Sequence, residues 1–262
     1  FALGIFLQQE LDSPVGRGGN PPPGDGVNTV LGDHGSVTFQ AEKVLGQILS
    51  TNEAEGGVDT LTLATGNGPQ GLYVRDIDGD GKPDLVCGNS GSNTVSVWRN
   101  IGAQGSLTSS SFAPRVDFAT DVTPRMIEMG DVDGDGRPDI ITPNLTGNSV
   151  SVLRNTSTPG SITASSFAAH VEFVTGSGPK SCLLGDLDGD GKPDLAVSHY
   201  NPNTISILRN SSLPGTIAFS PRVEFVTGNA ARSIVMADVS GDGKLDLEVV
   251  NQTSGTLSIL RN

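Results

Sequence analysis

Four short segments of the chain place carboxylates at one spacing. Asp76–Asp84 reads D-I-D-G-D-G-K-P-D, Asp131–Asp139 reads D-V-D-G-D-G-R-P-D, Asp186–Asp194 reads D-L-D-G-D-G-K-P-D and Asp238–Asp246 reads D-V-S-G-D-G-K-L-D. Carboxylates at alternate positions of a tightly turning backbone suit a hard cation, and Ca2+ takes six to eight oxygen ligands of this kind. The candidate ligands are the side chains at loop positions one, three, five and nine, joined by the backbone carbonyl at position seven. They are Asp76, Asp78, Asp80, Lys82 and Asp84 in the first loop, and Asp131, Asp133, Asp135, Arg137 and Asp139 in the second. The third loop offers Asp186, Asp188, Asp190, Lys192 and Asp194, and the fourth Asp238, Ser240, Asp242, Lys244 and Asp246. Ser240 replaces an Asp, and a hydroxyl or a water can fill that corner. The glycines at positions four and six allow the chain to curl around an ion. One ion per loop gives about four Ca2+ in all.

Other readings of these loops fare worse. An EF-hand needs a bidentate Glu at position twelve and a helix on each side. Position twelve holds Cys87, Thr142, Val197 and Val249, and Pro83, Pro138 and Pro193 lie inside the loops. The dockerin reading lacks the same acidic ligand. An Asp-Gly turn without an ion would crowd several like charges within a few ångströms, which is costly. Fifteen of the 29 acidic residues lie in these clusters, so the net charge of −13 reflects cation binding more than general solubility. Four Ca2+ would bring it to about −5. A chain this acidic repels nucleic-acid phosphates, so nucleic-acid binding is not expected.

The elements that must position the loops repeat with them. The loops start 55, 55 and 52 residues apart, and an Arg-Asn pair closes each copy: Arg99-Asn100, Arg154-Asn155, Arg209-Asn210 and Arg261-Asn262. Each pair follows a period-two run, Val95–Trp98, Val150–Leu153, Ile205–Leu208 and Leu257–Leu260, which is the pattern of a strand. Apolar runs flank each loop, and a further short strand is expected at Arg115–Phe118, His170–Val174 and Arg222–Val226. The fold class is therefore all-β, a β-propeller-like array of four four-stranded blades with Asp-rich calcium loops, plus an N-terminal extended arm. The repeat units are placed at about 57–100, 112–155, 167–210 and 218–262, within a propeller domain spanning 29–262. The low aromatic content of 5% and the 35 glycines fit short strands and tight turns. Asn28–Ser50 partly echoes the repeat and reads as extra strands packed on the array, although Phe39–Leu49 could instead be a short helix.

These residues resemble the FG-GAP and VCBS repeats, the blades of integrin-α-like propellers. The resemblance covers about Gly57–Asn262. It rests on the Asp loop, the apolar strand after it, the Thr65–Pro69 and Thr175–Pro179 turns of T-G-x-x-P type, and the V-S-V-L-type strand. It implies a secreted or surface-exposed protein that serves adhesion, ligand binding or assembly, with calcium ligands at the matching Asp positions. Such propellers commonly have seven blades, which at this repeat length would need about 385 residues. Four units must close as a small ring, borrow the N-terminal strands for another blade, or be completed by a neighbouring chain.

The remaining residues read as structural. Trp98 aligns with Leu153, Leu208 and Leu260, which marks a core position rather than a sugar platform. His34, His170 and His199 show no triad or metal spacing. The sequence has no nucleophile motif, phosphate loop or HExxH, so no enzyme activity is expected. Cys87 and Cys182 fall on different strands and read as separate buried thiols. The sequons at Asn144, Asn155, Asn210 and Asn251 are triplets that arise easily in a Ser/Thr-rich chain.

Residues 1–28 form an apolar arm and a linker. Phe1–Leu7 is strand-length and apolar, and Ser13–Gly26 holds four Pro and five Gly. Such a Pro/Gly linker would let the arm fold back on its own domain or reach another subunit, where strand donation would give a head-to-tail polymer. The first residue is Phe1 rather than Met, which is expected of a processed chain such as one cleaved from a signal peptide. No stretch approaches the roughly 20 apolar residues of a transmembrane helix. The leading functional expectation is a secreted, calcium-stabilised structural or adhesive protein, a filament subunit that partners other copies of itself through the arm. The alternative is a monomeric lectin-like or receptor-type module for a cell-surface or glycan ligand.

Overall fold

The computed structural model describes residues 30–31, 36–41, 59–104, 107–108 and 110–262. The described chain is all-β. Its strands are β1 (Val30–Leu31), β2 (Ser36–Ala41), β3 (Asp59–Ala64), β4 (Pro69–Arg75), β5 (Asp84–Asn89), β6 (Thr94–Trp98), β7 (Val116–Ala119), β8 (Glu128–Gly130) and β9 (Asp139–Asn144). They continue as β10 (Ser149–Leu153), β11 (Val171–Val174), β12 (Pro179–Gly185), β13 (Asp194–His199), β14 (Thr204–Leu208), β15 (Val223–Val226), β16 (Ala231–Ala237), β17 (Asp246–Asn251) and β18 (Thr256–Leu260). The arm Phe1–Gln9, the linker and most of Phe39–Leu49 lie outside the described residues; Phe39–Ala41 itself belongs to β2.

Every sheet is an antiparallel meander. β4 to β7, β8 to β11 and β12 to β15 form three four-stranded sheets, while β1–β2–β3 and β16–β17–β18 form two of three strands. The fold is the propeller-like array that the repeats imply, with one offset. Each four-stranded sheet takes its last strand from the start of the next sequence unit, because β7 pairs with β6, β11 with β10 and β15 with β14. The reason is local. The bridges Asn100↔Phe112, Asn155↔Phe167 and Asn210↔Phe219 extend each ladder beyond the period-two strand, so the returning chain is already in register when its strand begins. By the same logic β3 pairs with β2 rather than β4.

The core lies between consecutive sheets. Val86, Val95, Val97 and Phe118 of one sheet meet Ile127, Met129, Ile140 and Leu153 of the next. Ile141, Val150 and Val152 meet Cys182, Leu195, Val197 and Leu208 in the following pair. Strands β5, β9 and β13 are buried along their whole length, which is why their sequences are apolar on both faces instead of alternating. Trp98 is a core residue, packed with Leu63, Leu72, Leu85 and Cys87. Cys87 and Cys182 are both buried free thiols.

Candidate metal centres

Each Asp-rich loop joins the first strand of a sheet to the second. Its shape is fixed by its own first carboxylate. Asp76 accepts the N–H groups of Gly79 at 2.8 Å and Gly81 at 2.9 Å, and Asp131, Asp186 and Asp238 repeat both bonds. Gly79 and Gly81 have φ of 72° and 85°, with open space where a Cβ would stand. The left-handed backbone, not crowding, therefore demands glycine at positions four and six. Asp80 accepts the N–H of Lys82, and Asp78 that of Asp80, so successive carboxylates wrap the turn.

The ninth position anchors the loop in the core. Asp84 accepts the N–H of Ile77 at 3.0 Å and that of Asn100 at 2.7 Å. Asp139 and Asp194 do the same with Val132 and Asn155, and with Leu187 and Asn210. Burial pushes the Asp84 carboxyl up to about 6 and Asp139 up to about 7, although the two N–H donors pull the other way. The neighbouring loop carboxylates add to the rise. Asp194 is raised for the same reasons.

The first, third and ninth carboxylates converge. Asp76, Asp78 and Asp84 bring ligand oxygens within 4.8 Å of one another, as do Asp131, Asp133 and Asp139, and Asp186, Asp188 and Asp194. The residues fit a calcium ion: a compact set of hard oxygen donors whose innermost carboxyl is buried and raised in pKa. The fifth-position carboxylates stand outside these triads. Asp80 and Asp190 face the arginine that closes the repeat, Arg99 Nη2 lying 2.9 Å from Asp80 Oδ2 and Arg209 Nη2 3.3 Å from Asp190 Oδ2. The Asp135 carboxylate lies 3.5 Å from Arg137 of its own loop. Of the position-seven residues, Lys82 and Arg137 donate their backbone N–H to Asp80 and Asp135. The N–H groups of Lys192 and Lys244 go likewise to Asp190 and Asp242. The fourth loop keeps the turn made by its first carboxylate, but its ninth carboxylate, Asp246, takes the N–H of Ser240 at position three instead of the N–H at position two. Among the described residues, however, only the first three loops gather three carboxylates.

The Arg-Asn pair, legible in the sequence only as punctuation, is part of the site. Arg99 Nε lies 2.7 Å from Asp78 Oδ2, and Arg209 pairs with Asp188 and Arg261 with Asp242. The asparagine links neighbouring loops. Asn155 Nδ2 donates to Pro138 O in its own loop and to Ile77 O in the loop of the preceding sheet. Asn210 bonds Pro193 O and Val132 O in the same way, and Asn262 reaches Leu187 O. The loops are thus joined in series. The strict recurrence of Arg-Asn was the signal for this role, but its target on the preceding repeat lies 75–78 residues away.

The sequence profile of the FG-GAP-like repeat matches residues 76–142 and 186–249, half of the chain. No curated protein matches the chain. Among solved structures, a candidate 6-phosphogluconolactonase from Bacteroides fragilis NCTC 9343 superposes with a TM-score of 0.57 at 15% identity, covering 90% of this chain. A second, from Bacteroides uniformis ATCC 8492, gives 0.51 at 13% identity over 89% of this chain. At such identities the likeness is one of fold. The chain spans 64% and 66% of the length of these two proteins.

Proposed function

Since the chain belongs to the FG-GAP-like repeat family, we propose that it is a calcium-stabilised structural or adhesive module, not an enzyme, and that it works outside the cell. One observation carries this reading. The same carboxylate triad recurs in three consecutive sheets, at loops that the repeat asparagines tie together. Ions bound there would brace the array sheet by sheet, and calcium is abundant enough for such sites chiefly in extracellular surroundings. Asp76, Asp78 and Asp84 would hold the first ion, with their counterparts holding the next two. Ser240 makes the fourth site the weakest. Among the described residues no helix is long and apolar enough to cross a membrane.

Assembly is the finer part of the proposal. The apolar arm Phe1–Gln9 and the Pro/Gly linker behind it suit donation of a strand to another copy, which yields a filament when each subunit both gives and accepts. The test of the central reading is calorimetric titration of chelator-stripped protein with CaCl2. Three or four bound ions and a raised melting temperature are expected; absence of binding at the first three loops overturns it.

A further inference from the structure

Three cations occupy one repeat position in three consecutive sheets. Arg125 follows Pro124 at the turn into β8, Lys180 follows Pro179 in β12, and Arg232 follows Ala231 in β16. Each falls where the ladder to the second strand is irregular. Pro179 pairs with His199 and Ser181 with Ser198, while Ala231 pairs with Asn251 and Ser233 with Val250. Lys180 and Arg232 are therefore the extra residues of β-bulges. Ahead of β8, the span from Pro124 to Glu128 is one residue longer than the opposing span from Ile141 to Asn144. A bulge bends its strand and re-aims a side chain. Because β12 packs against β8 on one side and β16 on the other, the three bulges lie in a row.

The backbones there are firmly seated. A Cβ on Gly88 would approach the Arg125 carbonyl to 2.9 Å, and Ser198 Oγ donates to the Arg232 carbonyl at 3.2 Å. The side chains, by contrast, are not neutralised. Among the described residues none of the three has a carboxylate partner. Among those residues Arg125 Nε is buried without a hydrogen-bond partner, and Lys180 Nζ lies 5.3 Å from the centroid of the Tyr200 ring. Burial, then repulsion from Arg232, lowers the Arg125 pKa; burial, then Arg125 and Arg232, lowers that of Lys180. A chain of net charge −13 thus gathers uncompensated positive charge at one end of its first strands.

We propose that Arg125, Lys180 and Arg232 form a binding site for an oxyanion, the carboxylate or sulfate group of a small acidic ligand. Two guanidinium forks can grip such a group at two points each, and the ammonium adds a point charge. The Tyr200 ring supplies a flat wall beside it. The site goes beyond the calcium reading and does not rest on it. Lys180 stands six residues before Asp186 along β12, about 20 Å at the rise of an extended strand.

The test is calorimetric titration of the calcium-loaded full chain with sodium sulfate, sodium glucuronate and glucose at constant ionic strength. At least one anion is expected to bind at one site, and glucose is not. Sulfate alone would mark a sulfate-ester ligand, glucuronate alone a carboxylate. Lys180→Gln and Arg232→Gln, both at solvent-reaching side chains, should each weaken binding about tenfold or more without lowering the melting temperature. Arg222→Gln, which removes the same charge elsewhere, should leave the affinity unchanged. The proposal is overturned if neither anion binds the unaltered chain beyond the glucose control, or if the Lys180 and Arg232 variants bind as tightly as the parent.

Discussion

At the scale of single residues, the proposed calcium sites would couple ion binding to protons. Burial raises Asp139 to about 7, above its value of about 4 in an unfolded chain. In the ion-free protein this group favours the fold most at low pH, and the contribution is lost as pH rises through about 7. Calcium binding there would have to displace that proton. Affinity at the second loop should therefore be about tenfold weaker near pH 6 than near pH 7.5, with proton release on binding. Titrations in two buffers of different ionisation heat would check this, and a pH-independent affinity would count against it. Ligand substitutions should rank by the same geometry. Asp78→Ala removes a member of a converged triad and should lower the calcium-loaded melting temperature. Ser240→Ala, in the loop that gathers no triad, should change it less, and chelator should abolish the difference.

At the scale of the strand pair, a buried polar hub recurs at the end of each second strand. Asn89 Nδ2 donates to Thr94 and Ser96, Asn144 to Ser149 and Ser151, and Asn251 to Thr256 and Ser258. In the sheet β12–β15 the hub is His199, which among the described residues bonds Ser206 alone and leaves Thr204 Oγ1 buried without a partner. Burial lowers its pKa to about 4. A depressed histidine contributes stability that is present above about 6.5 and lost as pH falls toward the folded value. His199→Asn would restore the second hydrogen bond, worth about 1 kcal/mol, and remove the acid sensitivity. Its advantage in urea unfolding should grow between about pH 6.5 and pH 4; a constant or shrinking gap would refute the assignment. The linking asparagines make a second element-scale prediction. Asn155→Ala strands the carbonyls of Ile77 and Pro138 and the N–H of Ser157, and should cost about 3 kcal/mol. Among the described residues Asn100 bonds groups of its own repeat, so Asn100→Ala should cost about 1 kcal/mol. Equal losses in denaturant unfolding would show that the inter-sheet bond contributes nothing.

At the scale of the whole molecule, sheets stacked through nearest-neighbour cores behave as a one-dimensional array. On the proposed reading, calcium at one loop would stabilise its own sheet and, through Asn155 or Asn210, the sheet before it. Stripping the ions should therefore broaden the unfolding transition as well as lower it, which calorimetry at several calcium concentrations would show. Assembly belongs to this scale too. Deleting residues 1–12 should give soluble monomers that still bind calcium, as read by sedimentation and electron microscopy. If the shortened chain assembles as the full one does, or the full chain stays monomeric at high concentration, the arm has no such role.

The local chemistry can be read from the residues and their spacing alone. The Asp spacing, the glycines at positions four and six and the period-two strands each act within about ten residues, where backbone geometry leaves few choices. Trp98 was legible as core because it shares a repeat position with three leucines. Relations between repeats emerge from the packing of the sheets. The sheets are offset from the sequence units, because Asn100↔Phe112 and its counterparts carry the ladder across the unit boundary. Asn155 and Asn210 reach back to the previous loop. Arg125, Lys180 and Arg232 look like scattered surface charges in the sequence, and become neighbours only when β8, β12 and β16 pack in a row. A periodic sequence shows what each unit contains. Which groups meet across the seam depends on the stacking of one sheet on the next, and no local pattern encodes it.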